Sequence, residues 1–224
     1  MPRGNSSRQL ASKPDNTIIG LVHNRSETEK IVTEEVPRRD NVHIIQGYFT
    51  DYASLQAATT ETAKITDGSL GYFIANAGVI SHFERKNTTA LEEDLTHLFK
   101  VNLIGNIRLF NAFIPLLQRG TVKKVIAIST GQATLDMLPK LNTEVASMYA
   151  ISKAGLNTAI AKFSAQYGEK GFLFMSVYPG IVDTGIPLTE LMRMLSSFSE
   201  YAPHLKVPAS VEDTVRDVIS VTDR

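Results

Sequence analysis

The 224-residue chain contains no cysteine and no tryptophan, and its charge carries no excess of either sign, since 23 basic side chains face 23 acidic ones. The absence of cysteine excludes disulfide scaffolds, thiolate metal sites and cysteine nucleophiles. Balanced charge removes the broad electrostatic footprint that nucleic acid or an anionic membrane would require, so neither is expected as a partner. Long apolar runs are also lacking. The first twenty residues hold no apolar leader segment, and the longest apolar stretch, 172–177, is broken by Ser176 and far too short to span a bilayer. The five histidines, His23, His43, His82, His97 and His204, show no metal-ligand spacing. A soluble, cytoplasmic protein is the expectation, and 43% hydrophobic residues would supply a sizeable core in one domain over 1–224.

What the sequence does contain is an alternation. Five short β-rich runs, 17–22, 42–45, 71–75, 124–129 and 172–177, are separated by helix-like stretches at 26–35, 52–65, 90–117 and 147–167. That order predicts βαβ units and an α/β fold: a Rossmann-like, doubly wound parallel sheet in three layers, αβα. Within 90–117, Leu91, Leu95, Leu98, Phe99, Asn102, Leu103, Ile107, Phe110 and Ile114 step by three or four onto one stripe, with Pro115 and Gly120 marking the stop. A doubly wound nucleotide-binding sheet should open with a strand and a glycine-rich turn, whose amides hold a pyrophosphate. Only sixteen polar residues precede the first convincing strand here, and no GxGxxG occurs anywhere.

The sharpest chemical signal is Tyr149-Ala150-Ile151-Ser152-Lys153. Residues four apart share a helix face, so the ammonium can approach the phenol and favour its ionised form. Bringing a phenol from about 10 to about 7 takes about 4 kcal/mol. A cation at roughly 5 Å and an effective dielectric of ~20 supplies about 3 kcal/mol. Other polar residues gather at predicted strand ends. Ser129-Thr130 closes the fourth run, Asn76-Ala77-Gly78 the third, and Tyr178-Pro179-Gly180-Ile181-Val182-Asp183-Thr184 the fifth, while Asn102 interrupts an apolar helix stripe.

In order and approximate spacing these motifs resemble the short-chain dehydrogenase/reductase family, across about residues 14–220. They are most similar to its fungal carbonyl and ketoreductases, akin to norsolorinic acid ketoreductase. The resemblance implies a catalytic set of Asn102, Ser129 or Thr130, Tyr149 and Lys153. Tyr149 would be the general acid that protonates a substrate carbonyl as hydride arrives. Lys153 would hold the nicotinamide ribose, and Asn102, through a kinked helix and a water, would connect Lys153 to solvent. Aligned on the family's strand-Ser-Ser pattern, the carbonyl-orienting hydroxyl falls on Thr130, with Ser129 as the fallback.

Asn76, Ala77, Gly78, Pro179, Gly180, Val182 and Thr184 would contribute to the cofactor site. At 21–25, where an acid would select NAD, the chain offers Arg25 or His23, which favours NADP over NAD. Tyr48 stands where relatives generally carry an aspartate that contacts adenine. The segment 185–210, with Leu188, Leu191, Met192, Leu195 and Phe198, would be a lid over a small hydrophobic or aromatic carbonyl substrate. The resemblance leaves room for a homodimer or homotetramer.

Two departures from the family pattern stand beside this reading. Residues 1–16 read as a remnant of the first helix, or as disordered, with the glycine turn and the strand before it missing, and a last edge strand is not seen after 211–221. Losing a central strand would leave a gap of about 10 Å, two strand spacings, in the sheet. The alternative expectation is therefore a truncated, non-catalytic relative that acts as a binding or interaction protein.

Overall fold

A computed structural model describes residues 9–36, 40–80, 88–141, 146–182 and 209–222. The expected alternation is present. Strands β1 (Ile18–Val22), β2 (Val42–Gln46), β3 (Tyr72–Ala75), β4 (Lys124–Ile128) and β5 (Leu173–Val177) alternate with helices α1 (Arg25–Glu35), α2 (Tyr52–Ile65), α3 (Thr88–Leu98), α4 (Asn106–Arg119) and α5 (Ser147–Tyr167). A last helix, α6, covers Val211–Thr222. Helix starts follow ordinary capping chemistry: the Asn24 side chain accepts from Glu27 N, and the Asp51 side chain accepts from Ala53 N and Ser54 N. Gly120 ends α4 at a point where no other residue fits, since a Cβ there would lie 1.8 Å from the Leu70 carbonyl oxygen.

All strand pairs are parallel, so every described strand ends on the same edge of its sheet. Among the described residues the sheet falls into two parts, β1 beside β2 and the row β3-β4-β5. Strand β4 is the buried centre of the larger part, with Val125, Ile126 and Ala127 all 1% exposed or less, as a parallel strand covered on both faces requires. The strands outside that centre are less covered: every residue of β1 is half-buried, and Tyr72 of β3 is exposed.

Helix α4 joins the two parts, because its apolar residues form two adjacent rows. Phe110, Ile114 and Leu117 pack with Val125 and Ala127 of β4 and with Leu156, Ile160 and Phe163 of α5. Leu109, Phe113 and Leu116 pack with Leu55 of α2, against Leu21 of β1 and Phe73 of β3. Residues 9–16 are partly ordered: Gln9–Ala11 forms a helical turn, and Ala11 is buried with Val32, Val36 and Ile44.

The stretch read as one helix over 90–117 is three segments. A π-helical segment, Phe99–Gly105, separates α3 from α4 and carries Asn102 at its centre. The proposed lid falls on residues outside the described set, apart from Ala209 and Ser210.

Candidate active site

The polar residues singled out in sequence meet where the C-terminal ends of β3, β4 and β5 face the first turn of α5. Register explains the meeting. Ile126 of β4 lies beside Ile74 of β3 and Met175 of β5, so Ser129-Thr130 emerges between Asn76-Ala77-Gly78 and Tyr178-Pro179-Gly180. Ser129 N donates to Val177 O at 2.9 Å and holds that alignment one residue past the strands.

Tyr149 and Lys153 lie one turn apart on α5, with Lys153 Nζ 5.8 Å from the Tyr149 ring centre. Lys153 is 2% exposed, and its ammonium donates to the Ile128 carbonyl at 2.7 Å. Burial lowers the lysine from 10.5 to about 8, so it is mainly charged at neutral pH but close to titrating. Burial also raises the Tyr149 phenol above 10. The cause of that rise is desolvation of the phenolate, which opposes the lowering expected from a nearby ammonium. The phenol therefore holds its proton throughout the neutral range.

The two candidate hydroxyls are distinguished by their partners. Ser129 is buried, and its Oγ donates to Asn157 Oδ1 at 2.7 Å. Thr130 is half-buried and caps the short turn Gly131–Ala133, its Oγ1 accepting from Gln132 N at 3.3 Å. A hydroxyl has one proton to give. Ser129 gives its proton to Asn157, whereas the only bond described at the Thr130 hydroxyl uses an acceptor lone pair.

Asn102 is fully buried, and its amide is committed to the protein. Its Oδ1 accepts from Val79 N at 2.8 Å, and its Nδ2 donates to Val79 O at 2.8 Å and to Ser152 Oγ at 2.9 Å. Ser152 Oγ in turn donates to the Tyr149 carbonyl at 2.7 Å. Behind Asn102, the Asn106 amide donates to the Asn102 carbonyl at 2.9 Å.

Ser152, Asn106, Asn157 and Tyr178 were not anticipated as site residues. Spacing could have pointed to Asn106, one turn after Asn102, and to Ser152, three after Tyr149; Asn157 carries no such mark. The Tyr178 ring packs on Gly131, where a Cβ would lie 2.8 Å from its Cε1. Burial, and secondarily the Tyr149 phenol, push the Tyr178 phenol up to about 12.

A dinucleotide fits these residues in two respects. Gly78 admits close approach, since a Cβ there would lie 3.1 Å from Lys153 Nζ and 3.2 Å from Asn102 Oδ1, and the buried Asn76 Oδ1 has no partner among the described residues. Gly180 adopts φ 81° with no described atom within 4 Å of where a Cβ would stand, and Val182 is buried, bridging to Ala209. Thr184 lies outside the described residues. At the β1 end, Arg25 pairs with Glu29 at 2.8 Å and Glu61 at 3.7 Å, all about half exposed. His23 and Tyr48 meet edge to face, 4.9 Å between centres. No described helix is long and apolar enough to cross a membrane.

The family model described as short chain dehydrogenase matches residues 5–190. A short chain dehydrogenase virK of Hypocrea virens is 48% identical, covering 96% of this chain and 84% of its own. A short-chain dehydrogenase/reductase iacC of Pestalotiopsis fici is 40% identical, covering 97% and 86%. Among solved structures, an NADPH-bound carbonyl reductase from chicken fatty liver superposes with TM-score 0.78 at 22% identity, covering 98% of this chain and 83% of that one. A dehydrogenase/reductase from Sinorhizobium meliloti gives 0.79 at 20% identity, covering 98% and 84%. The matched span runs through every strand and through the Tyr149–Lys153 turn, and the chain belongs to the short-chain dehydrogenase/reductase family of nicotinamide-dependent oxidoreductases.

Proposed function

We propose that the chain reduces the carbonyl group of a small hydrophobic or aromatic ketone or aldehyde, with NADP as its cofactor. The observation that carries this reading is the pairing of a half-buried, protonated Tyr149 phenol with the buried Lys153 ammonium one helical turn away. The chemistry supplied by a reduced nicotinamide, when bound, is a hydride. The protein's part is to stabilise the oxyanion that hydride addition creates and to protonate it. Tyr149, protonated at neutral pH, donates the proton to the far more basic alkoxide that hydride addition creates.

The Thr130 hydroxyl donates a hydrogen bond to the same oxygen and orients it. Ser129 serves instead to hold Asn157. Lys153 spends one N–H on Ile128 O and keeps two for the hydroxyls of a ribose. With its side chain fully engaged by Val79 and Ser152, Asn102 contributes to the relay through its backbone carbonyl.

Arg25 supports NADP. Its partners Glu29 and Glu61 are exposed, and exposed pairs are weak enough for a 2′-phosphate to displace them. Tyr178 and the exposed Leu135 and Leu138 at the β4 and β5 ends support an apolar substrate. The oxidoreductase relatives and the formed Tyr149–Lys153 turn do not favour a non-catalytic protein.

Calorimetric titration with NADPH and NADH tests the reading, together with NADPH consumption in the presence of aromatic ketones. Saturable binding that prefers NADPH is expected. Arg25→Ala should shrink the preference about tenfold or more, the worth of a charge-assisted hydrogen bond. No binding of either dinucleotide at millimolar concentration would overturn it.

A further inference from the structure

The proposed chemistry assigns no part to Asn106, yet the fold holds it at a cost. The residue is 1% exposed, and its Oδ1 is a buried acceptor with no partner among the described residues. An alanine or leucine in the same place would carry no such penalty, and a buried unmet group calls for a reason.

The reason lies in the π-helical segment Phe99–Gly105. In an α-helix the N–H of residue 106 would bond to the carbonyl of residue 102. Here the backbone N–H of Asn106 goes to the Leu103 carbonyl, and the Asn102 carbonyl receives the Asn106 side-chain amide, at 2.9 Å. The same amide lies 3.4 Å from the Val101 carbonyl. Asn106 thus supplies from its side chain a hydrogen bond that the π turn has taken from the backbone. Extended π turns are rare and need such compensation.

Relaxation of this turn would rotate Asn102, and Asn102 is the hub of the site's buried polar network. It joins Val79, next to Gly78, to Ser152, and Ser152 is bonded to the carbonyl of Tyr149. We infer that Asn106 is a positioning residue for carbonyl reduction: by holding the Asn102 carbonyl it keeps the π turn in the register that aligns Ser152 and the Tyr149–Lys153 turn. The inference rests on the proposed reductase reading and adds to it a residue that touches neither substrate nor cofactor.

The test compares Asn106→Ala with Asn106→Ser. A serine hydroxyl can donate to the carbonyl four residues back, so it restores the bond with a different group. In the alanine variant kcat should fall about tenfold, the worth of one hydrogen bond at the transition state. KM for NADPH and ketone should stay within about twofold. The melting temperature should not drop in proportion, because the unmet acceptor leaves with the side chain. The serine variant should recover most of kcat. An alanine variant with wild-type kcat, or a serine variant as slow as alanine, overturns the role.

Hydrogen exchange of the Asn106 side-chain amide, followed by NMR in the unmodified protein, needs no substitution. Protection is expected, and exchange at the rate of free amide contradicts the bond. A wild-type chain that turns over no carbonyl compound overturns the proposed function and this role with it. Turnover that is equal in wild type and alanine variant overturns the role alone.

Discussion

Lys153 puts a charge where charge is expensive, and its energetic signature should be measurable without any substrate. The side chain is 2% exposed, and burial takes it from 10.5 to about 8. Between those values the unfolded chain holds a proton that the folded chain has released, so the free energy of unfolding must rise with pH across that window. The sign follows from a base whose folded-state value is lowered: stability is withheld below about pH 8 and restored as pH climbs toward the unfolded value of 10.5. At about 1.36 kcal/mol per pH unit the full span amounts to about 3 kcal/mol, of which about 2 kcal/mol is recovered between roughly pH 7 and pH 9.5. Tyr149 and Tyr178 act in the opposite sense, since burial raises their phenols, but only above their ordinary value of 10. The interval below pH 9.5 therefore isolates the lysine.

Urea unfolding of the wild type and of Lys153→Met at a series of pH values measures the effect. Methionine nearly preserves the apolar stem and removes the titrating group. The wild type should gain about 2 kcal/mol relative to the variant over that interval. The slope is the test rather than the offset, because the variant also leaves the Ile128 carbonyl without its donor. Parallel stability curves would refute the argument that a buried, partly destabilised ammonium sits beside Tyr149.

The two neighbouring hydroxyls should separate cleanly. Thr130→Val, nearly isosteric, should lower kcat by about a hundredfold, at the low end of what a positioned donor contributes, and leave unfolding by urea almost unchanged. Ser129→Ala should do the reverse: near-normal turnover, with about 1 kcal/mol of stability lost because the half-buried Asn157 loses a partner. The opposite pattern in steady-state rates and urea midpoints would return the carbonyl-orienting role to Ser129.

Much of this molecule was legible in its sequence, for reasons that differ by element. Helices α2 and α5 occupy the spans their patterns marked, α2 behind the capping Asp51 and α5 as a run of helix-forming residues ending at Gly168. The strands were equally plain, since short β-branched runs bounded by polar residues have few other readings. The stretch around Asn102 was not. A π segment keeps apolar residues three and four apart on nearly the same stripe, so Leu98, Phe99 and Leu103 give no sign that the backbone bonds have shifted there.

That Ser129-Thr130, Asn76–Gly78 and Tyr149–Lys153 come together could be read from strand order, while their hydrogen-bond partners could not. Ser129 and Thr130 are chemically alike in sequence, and only Asn157, twenty-eight residues beyond Ser129 on another helix, tells them apart. The direction of the Tyr149 shift was misjudged for a related reason. Spacing reveals that a cation is near, but not how much water the fold removes from the phenol.

The central claim, that Tyr149 protonates a carbonyl reduced by hydride from NADPH, is tested most directly by one comparison. Wild type and Tyr149→Phe are each mixed with an aromatic ketone and NADPH deuterated at the transferable position, and the alcohol product is analysed by mass and rate. The wild type should place one deuterium on the carbinol carbon. The phenylalanine variant should bind NADPH as well but form product about 10²–10⁴ times more slowly, the range expected for loss of a general acid. Deuterium-labelled alcohol formed at the wild-type rate by Tyr149→Phe, or no label in the wild-type product, would contradict it.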